Sequence, residues 1–385
     1  MDNSRVNLSK KIDKYDEKYI YINGEKILDF TSTNYLGLRD DQRIKEEIKK
    51  GVDLYSLSPD INKTIPENTD ICYQVINRIK EMTQMDEVNV YSSGYNVNVA
   101  IITNLYDHND VIFCDSLNSI NILEGVYVSG AKLIRFKHNN VDDLKEKLEK
   151  YRDKFHKACV LVDSVFTMDG TKAPLKKIGF LKSKYNFHFF VDESNAIGLY
   201  GERESGVTEE SESLQYVDLM MGYLHKTYGT VGEFAAMKRE IDNMLVQNSL
   251  RRDLINKSMI NPMEAIGAMK ALELSKTERW RKAKSQELAD LFRERITKLG
   301  FNVVESNSLI VALTFETDRE VIDISKMLYD EKILGAITIS KTTIESRIRF
   351  IFGSHFERED INQLYAIFKK ISKEYYVNMN PHKIQ

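Results

Sequence analysis

The sequence predicts an α/β protein with a mostly parallel central sheet covered by helices, carrying a smaller α+β domain at its C-terminal end. Three observations predict it. From residue 88 onward, short apolar runs rich in β-branched and aromatic residues alternate with longer amphipathic stretches, the pattern of a buried parallel sheet with crossover helices. The run LMMGY ends just before Lys226, and Gly229 and Gly232 follow before a second small apolar run, FAAMK. After residue 300, strands and helices alternate again on a smaller scale.

Composition bounds the possibilities. A chain of 385 residues with 42% hydrophobic and 29% charged residues is ordinary for a globular protein, with room for one large domain and a smaller one. A net charge of -3 gives no basic footprint for nucleic acid. Cys72, Cys114 and Cys159 are odd in number and far apart, so they make neither a disulfide framework nor a zinc pattern, and a reducing cytoplasm is the expected compartment. The polar N-terminus holds no apolar segment of signal-peptide or membrane-span character, and the histidines show no metal-ligand spacing. No metal is expected.

Taken in order, YIYINGEKILDF reads as a hairpin turning at Asn23-Gly24, followed by the irregular stretch TSTNYLGL. DQRIKEEIKKG predicts an amphipathic helix stopped by Gly51. LYSLSPDINKTIPENTD is polar, holds two of the five prolines and reads as a loop; ICYQVINRIKEMTQ restores helical spacing. VNVYS, VIFCD, KLIRF, ACVLVD, FHFFVD and LMMGY are the predicted strands of the sheet, with NVDDLKEKLEKYRDKF among the helices between them. A long helical pattern runs from about Met263 to Leu299 as a bridge out of the large domain. FNVVESNSLIVALTF, GAITIS and RIRFIFG are strands of the small domain, closed by the helix EDINQLYAIFKKISKEYY. The expected organisation is an N-terminal segment over 1–50, a large domain over 51–265 and a small domain over 266–385.

Four stretches end at the carboxyl edge of this sheet, where open parallel sheets place their ligands. Ser92-Ser93-Gly94-Tyr95-Asn96 leaves a strand and enters a helix, whose free N–H groups suit a phosphate, although an ordinary strand-to-helix turn reads the same. The second runs from Val162 to Gly170. The third begins at Asp192, whose buried carboxylate needs a partner such as a protonated ring nitrogen, or else caps a helix at about 1 kcal/mol. The fourth holds Lys226, a nucleophilic amine for an aldehyde cofactor if buried, and a solvated loop lysine if not.

At this point the residues resemble a family. A phosphate turn, an Asp at a strand end and a Lys after the next strand look like the fold-type I pyridoxal phosphate enzymes, and more closely like the α-oxoamine synthases. DFTSTNYLGL resembles that family's DFSSNDYLGL, SGYNVN its SGFAAN, DSLNSI its DELNHASI and DSVFTMDGTKAPL its EGVFSMDGDIAPL. DESNAIGLYGERESG resembles DEAHAxGxxGxxGxG, HKTYGTVG resembles GKAFGxxG, and SRIRFIFGSHFEREDI resembles RLRxxxSAAHTxEDI. The similarity runs unbroken from residue 27 to about 370.

The resemblance implies pyridoxal 5'-phosphate as cofactor, Lys226 as its Schiff-base lysine and Asp192 as partner of the pyridine nitrogen. It implies phosphate contacts from Ser93, Gly94 and Tyr95 and from Ser258 of a second subunit in a homodimer. Thr167 and Asn195 fall near the cofactor's phenolic oxygen, and Arg349 with Thr33 at the substrate carboxylate. The implied reaction is a decarboxylative condensation of an amino acid with an acyl thioester, carried on coenzyme A or an acyl carrier protein. Several positions depart from the family. Ser119 stands where an imidazole stacks on the cofactor, Asn195 replaces the histidine of DEAH, Thr33 replaces an asparagine, Tyr223 replaces a smaller hydroxyl residue, and the family's glycine-rich substrate segment is replaced by LYSLSPDINKTIPENTD. These losses leave two alternatives open: an aminotransferase, or a catalytically weak cofactor-binding partner subunit.

Overall fold

The computed structural model describes residues 11–55, 70–92, 97–247, 260–339 and 345–373. It divides into two compact units, one made of 1–40, 168–171 and 279–385, the other of 41–167 and 172–278. The expected boundary at 265 is therefore found at 278, and the first forty residues join the C-terminal part rather than standing alone.

The reason is a strand pairing between distant parts of the chain. Strands β1 (Ile12–Asp16), β2 (Tyr19–Ile22) and β3 (Glu25–Asp29) form an antiparallel meander. Asn23 and Gly24 take the left-handed φ of 53° and 76° that a tight hairpin turn requires. The fourth strand of this sheet pairs in parallel with β3 and comes from Ile333–Leu334, more than three hundred residues later. Phe30, just past β3, stacks on Phe356 at 4.4 Å and packs near Phe350 and Phe352. A second sheet in this unit has the order Ile310–Phe315, Ser346–Ile351, Ala336–Thr338, all antiparallel.

In the other unit, α1 (Gln42–Leu54) and α2 (Asp70–Thr83) precede β4 (Glu87–Tyr91). Helix α1 passes through Gly51 instead of stopping there. A Cβ on Gly51 would lie 2.2 Å from Ile266 Cδ1, so this glycine lets α1 approach the helix Pro262–Thr277 closely. The predicted helix 263–299 is two helices, Pro262–Thr277 and Trp280–Lys298, because Glu278 leaves helical geometry at φ −109°, ψ 53°. Glu278 instead receives the Arg43 guanidinium at 2.6 and 3.1 Å.

The chain continues through α3 (Val97–Leu105), β5 (Val111–Asp115), α4 (Ile120–Ser129), β6 (Lys132–Phe136), β7 (Ala158–Asp163), β8 (His188–Asp192), β9 (Leu219–Tyr223) and β10 (Glu233–Met237). The seven strands lie in the order β4-β10-β9-β8-β7-β5-β6. Only β10 runs against its neighbours, so the sheet is mostly parallel as the sequence predicts. Strands β5, β7, β9 and β10 are buried at every position, which a sheet covered on both faces demands. The cysteines are buried free thiols, and among the described residues no acidic, histidine or cysteine cluster suits a metal. Nor is any described helix long and apolar enough to cross a membrane.

Candidate active site

The parallel register brings two carboxylates side by side. Asp163 at the end of β7 pairs with Asp192 at the end of β8, and Asp192 pairs with Met221 on β9. Both aspartates are about 2% exposed, so each needs polar partners. Asp163 accepts the backbone N–H of Ser119 at 2.6 Å. Burial first, and the neighbouring Asp192 second, push the Asp163 carboxyl well above the usual carboxylate range. Asp192 accepts the Ser194 N–H at 2.9 Å and the Asn98 amide at 3.1 Å. No helix starts at Asp192: residues 194–199 form turns, so the capping role that the sequence left open is not the one it plays.

Asn98 comes from α3, the helix that follows β4. It is fully buried, and its amide reaches both Asp192 and the Tyr223 hydroxyl, the latter at 3.2 Å. A single polar side chain thereby ties the ends of β8 and β9 to α3. The sequence signal was present, since Asn98 sits among the apolar residues of VNVAIITNL, where a buried amide must be spent on a partner.

Lys226 lies on one helical turn, Leu224–Thr227, rather than at the strand end itself. The turn is held by Leu224 N–H donating to Gly232 O at 2.9 Å and by the Thr227 hydroxyl donating to Ile197 O at 2.7 Å. Gly198, at φ +80°, makes that approach possible, because a Cβ there would meet Thr227 Cγ2 at 2.5 Å. Lys226 is half-buried and its Nζ donates to Asn195 Oδ1 at 3.0 Å. Asn195 in turn donates to Thr167 Oγ1 at 2.7 Å and to Val165 O at 3.0 Å. Its amide protons are thus spent holding the Val165–Thr167 segment, and its oxygen holds the lysine.

Lys226, Asn195 and Thr167 therefore form one hydrogen-bonded chain, with Asp192 at the end of the strand that leads into Asn195. Ser119 is the residue before α4 and meets this group through its backbone, on Asp163. Glu193, next to Asp192, is buried and accepts the Ser164 hydroxyl and the N–H groups of Val207 and Thr208, which fixes the turn that carries Asn195. Ser93, Gly94, Tyr95 and Ser258 lie outside the described residues.

Arg349 and Thr33 belong to the unit built from the chain's two ends. Arg349 projects from Ser346–Ile351 between Ala312 and Ala336 on the flanking strands, small neighbours that leave room for a guanidinium. Burial lowers its pKa, and its Nη1 lies 3.2 Å from Met168 Sδ. Arg347, two residues earlier, is paired with buried Asp169 at 3.3 Å. Thr33 accepts the Tyr35 N–H through its carbonyl at 2.7 Å.

The chain matches the aminotransferase class I and II family over residues 25–368. It is 32% identical over 343 residues to a putative 8-amino-7-oxononanoate synthase of Acetivibrio thermocellus, covering 88% of this chain and 87% of that one. It is 30% identical over 368 residues to the 8-amino-7-oxononanoate synthase of Coprothermobacter proteolyticus, covering 95% and 93%. Among solved structures, the serine palmitoyltransferase of Sphingomonas wittichii has the same fold, with a TM-score of 0.86 at 20% identity over 95% of this chain and 92% of that one. The 8-amino-7-oxononanoate synthase of Francisella tularensis gives 0.78 at 24% identity over 91% and 99%. The chain belongs to the aminotransferase class I and II family and, within it, to the α-oxoamine synthases, a group of pyridoxal phosphate-dependent transferases.

Proposed function

We propose that this protein condenses an amino acid with an acyl thioester, on coenzyme A or a carrier protein, with loss of carbon dioxide, giving an α-amino ketone. The observation that carries this reading is the Lys226–Asn195–Thr167 chain beside Asp192, in a chain of this family. The donor set fits pyridoxal phosphate: a primary amine for the aldehyde, a buried carboxylate for the ring nitrogen, and a hydroxyl and an amide near the phenolic oxygen. When bound, the cofactor supplies an electron sink for the carbanion formed at the amino acid's α-carbon.

The protein's own residues would then do the following. Lys226 Nζ binds the cofactor and afterwards moves the proton at the substrate α-carbon. Asp192, held by Asn98 and the Ser194 N–H, keeps the ring nitrogen protonated. Thr167, positioned by Asn195, hydrogen-bonds at the phenolic oxygen. Ser93, Gly94 and Tyr95, with Ser258 of a second copy in a homodimer, take the phosphate, and the protein works in the cytoplasm. Arg349 and Thr33 bind the amino-acid carboxylate, for which a guanidinium offers paired donors. Loss of that charge-assisted contact costs roughly 1.5 to 3 kcal/mol, or about ten- to a hundredfold in affinity. Arg349→Ala accordingly weakens amino-acid binding by that factor and leaves cofactor binding near normal. Equal binding of amino acids and their decarboxylated amines by the wild type would contradict the assignment.

Ser119 and Asn195 bear on the substrate. Neither can carry charge as an imidazole does, and a serine leaves space that a histidine would fill. Larger amino acids are therefore expected to exceed glycine and alanine in kcat/KM. A preference for glycine or alanine, or no change in rate and preference on restoring Ser119→His with Asn195→His, would refute this.

The lost imidazoles also favour a second reading, an aminotransferase. Incubation with amino acid alone separates the two. A transaminase converts the cofactor to its amine form without any acyl thioester, whereas the condensing enzyme releases ketone only when the thioester is supplied. Retention of both Lys226 and Asp192 speaks against a cofactor-binding subunit with little catalysis.

A further inference from the structure

Tyr223 stands where the family has a smaller hydroxyl residue, and no step above uses it. It ends β9 and is 3% exposed. Its hydroxyl accepts the Asn98 amide at 3.2 Å, and the same amide nitrogen donates to Asp192 Oδ2 at 3.1 Å. Asn121 of α4, two residues after Ser119, bonds to that hydroxyl as well. The ring packs on His225 with centroids 5.2 Å apart and planes at 20°, and Lys226 Nζ lies over it, 5.3 Å from its centroid. One side chain thus touches both the amine of the site and the amide that supports its carboxylate.

We propose that Tyr223 is a positioning residue for both ends of the cofactor site: its ring favours the cationic form of the Lys226 nitrogen, and its hydroxyl fixes the Asn98 amide on Asp192. The inference rests on the reading of Lys226 and Asp192 as a pyridoxal phosphate site. The negative face of an aromatic ring attracts an ammonium group within about 6 Å of its centroid, and the attraction strengthens as water is excluded. An amide with one proton on a carboxylate and the other on a phenol oxygen cannot turn without losing both bonds. Without the phenol it can. Both effects favour the charges that the site uses, positive at the lysine nitrogen and negative at Asp192.

The surrounding groups are consistent with this division of labour. Burial first, then the Asp192 and Glu233 carboxylates, push the Tyr223 phenol up in pKa, so it stays neutral and acts through its ring and hydroxyl rather than as a charge. Glu233, its register partner on β10, is taken up by the Val97 N–H at 2.7 Å. Around Lys226, Asp163 of β7 acts as an opposite charge, His225 is the adjacent residue of the chain, and Asn195 Oδ1 accepts from Nζ at 3.0 Å. None of these groups reaches both Lys226 and Asn98 as Tyr223 does.

The test uses Tyr223→Phe, which removes only the hydroxyl, and Tyr223→Leu, which removes the ring as well. In the cofactor-free proteins, Lys226 is acylated with acetic anhydride over a pH series, and the extent is read by mass spectrometry of its peptide. The midpoint is expected to match wild type in Tyr223→Phe and to fall by about half to one pH unit in Tyr223→Leu, because only the uncharged amine reacts and the ring no longer favours the cation. A ring that merely kept water out would move it the other way, since a wetter site favours the ammonium form. The hydroxyl is read from the ratio of Kd values, by calorimetric titration, for pyridoxal phosphate and its analogue with carbon in place of the ring nitrogen. Loss of the hold on Asn98 should reduce the wild type's preference for the nitrogen ligand by about two- to tenfold in both variants, whereas general loosening would weaken both ligands equally. A Tyr223→Leu midpoint that stays or rises, a Tyr223→Phe midpoint that falls as far, or an unchanged preference in Tyr223→Phe overturns the proposal while leaving the cofactor site standing. If neither ligand bonds to Lys226 in any of the three proteins, the cofactor reading itself fails and the proposal with it.

Discussion

Asp192→Asn lowers turnover by roughly a hundred- to several thousandfold while preserving the shape of the site, the equivalent of breaking a buried ion pair at about 3–5 kcal/mol. The carboxylate is about 2% exposed, and its protein partners are two neutral donors, the Ser194 N–H and the Asn98 amide. Neither neutralises it, which supports the proposal that a cationic ring nitrogen is its charge partner. An asparagine keeps the volume and can still accept one of those two hydrogen bonds, which fall on different carboxylate oxygens, but it cannot stabilise a positive charge on the ring. The loss should therefore appear in kcat more than in cofactor retention. The measurement is kcat and kcat/KM of Asp192→Asn with saturating cofactor; activity within tenfold of wild type would show that Asp192 pairs with nothing that carries charge in the reaction.

Under the proposed function, Lys226→Ala removes both the attachment point of the cofactor and the group that moves the substrate proton. General acid–base catalysis alone contributes typically 10²- to 10⁴-fold, so turnover is expected to fall by about that factor or more. The hydrogen-bonded chain adds a distinguishing readout. In the wild type, Nζ is held by Asn195 Oδ1 at 3.0 Å, so a small primary amine supplied from solution has an acceptor waiting for it in the variant. Methylamine or ethylamine should restore part of the lost rate to Lys226→Ala and none to Asp192→Asn. Full activity of Lys226→Ala, or equal rescue of both variants, would remove the lysine from the chemistry.

Much of this arrangement was legible in the sequence, for identifiable reasons. Strands of the large sheet are apolar runs bounded by polar turns, and Asn23-Gly24 marks the N-terminal hairpin of the four-stranded sheet because residues that tolerate positive φ fit there. Asp192 and Lys226 could be singled out because the first ends such a run and the second closely follows one, whereas Thr167 came from the family resemblance alone. What sequence reading missed depends on contacts between distant residues. Gly51 reads as a helix stop until Ile266 is seen against it, and a continuous helix from 263 to 299 reads well until Glu278 turns out of it. The N-terminal hairpin looks like a separate segment because its partner strand, Ile333–Leu334, is two residues long and more than three hundred positions away. Asn98 and Glu233 are polar residues in apolar runs, a signal that something must satisfy them, but the sequence does not say what. The resemblance puts Asn195 near the cofactor's phenolic oxygen, but that its amide donates to Val165 and Thr167 is seen only in the fold.

The most direct test of the site is reduction of the protein with sodium borohydride in the presence of pyridoxal phosphate, followed by digestion and mass spectrometry of the peptides. A cofactor adduct on Lys226, stoichiometric with protein and missing from Lys226→Ala, is the predicted result. An adduct spread over surface lysines, or one that persists in Lys226→Ala at the same stoichiometry, would contradict it.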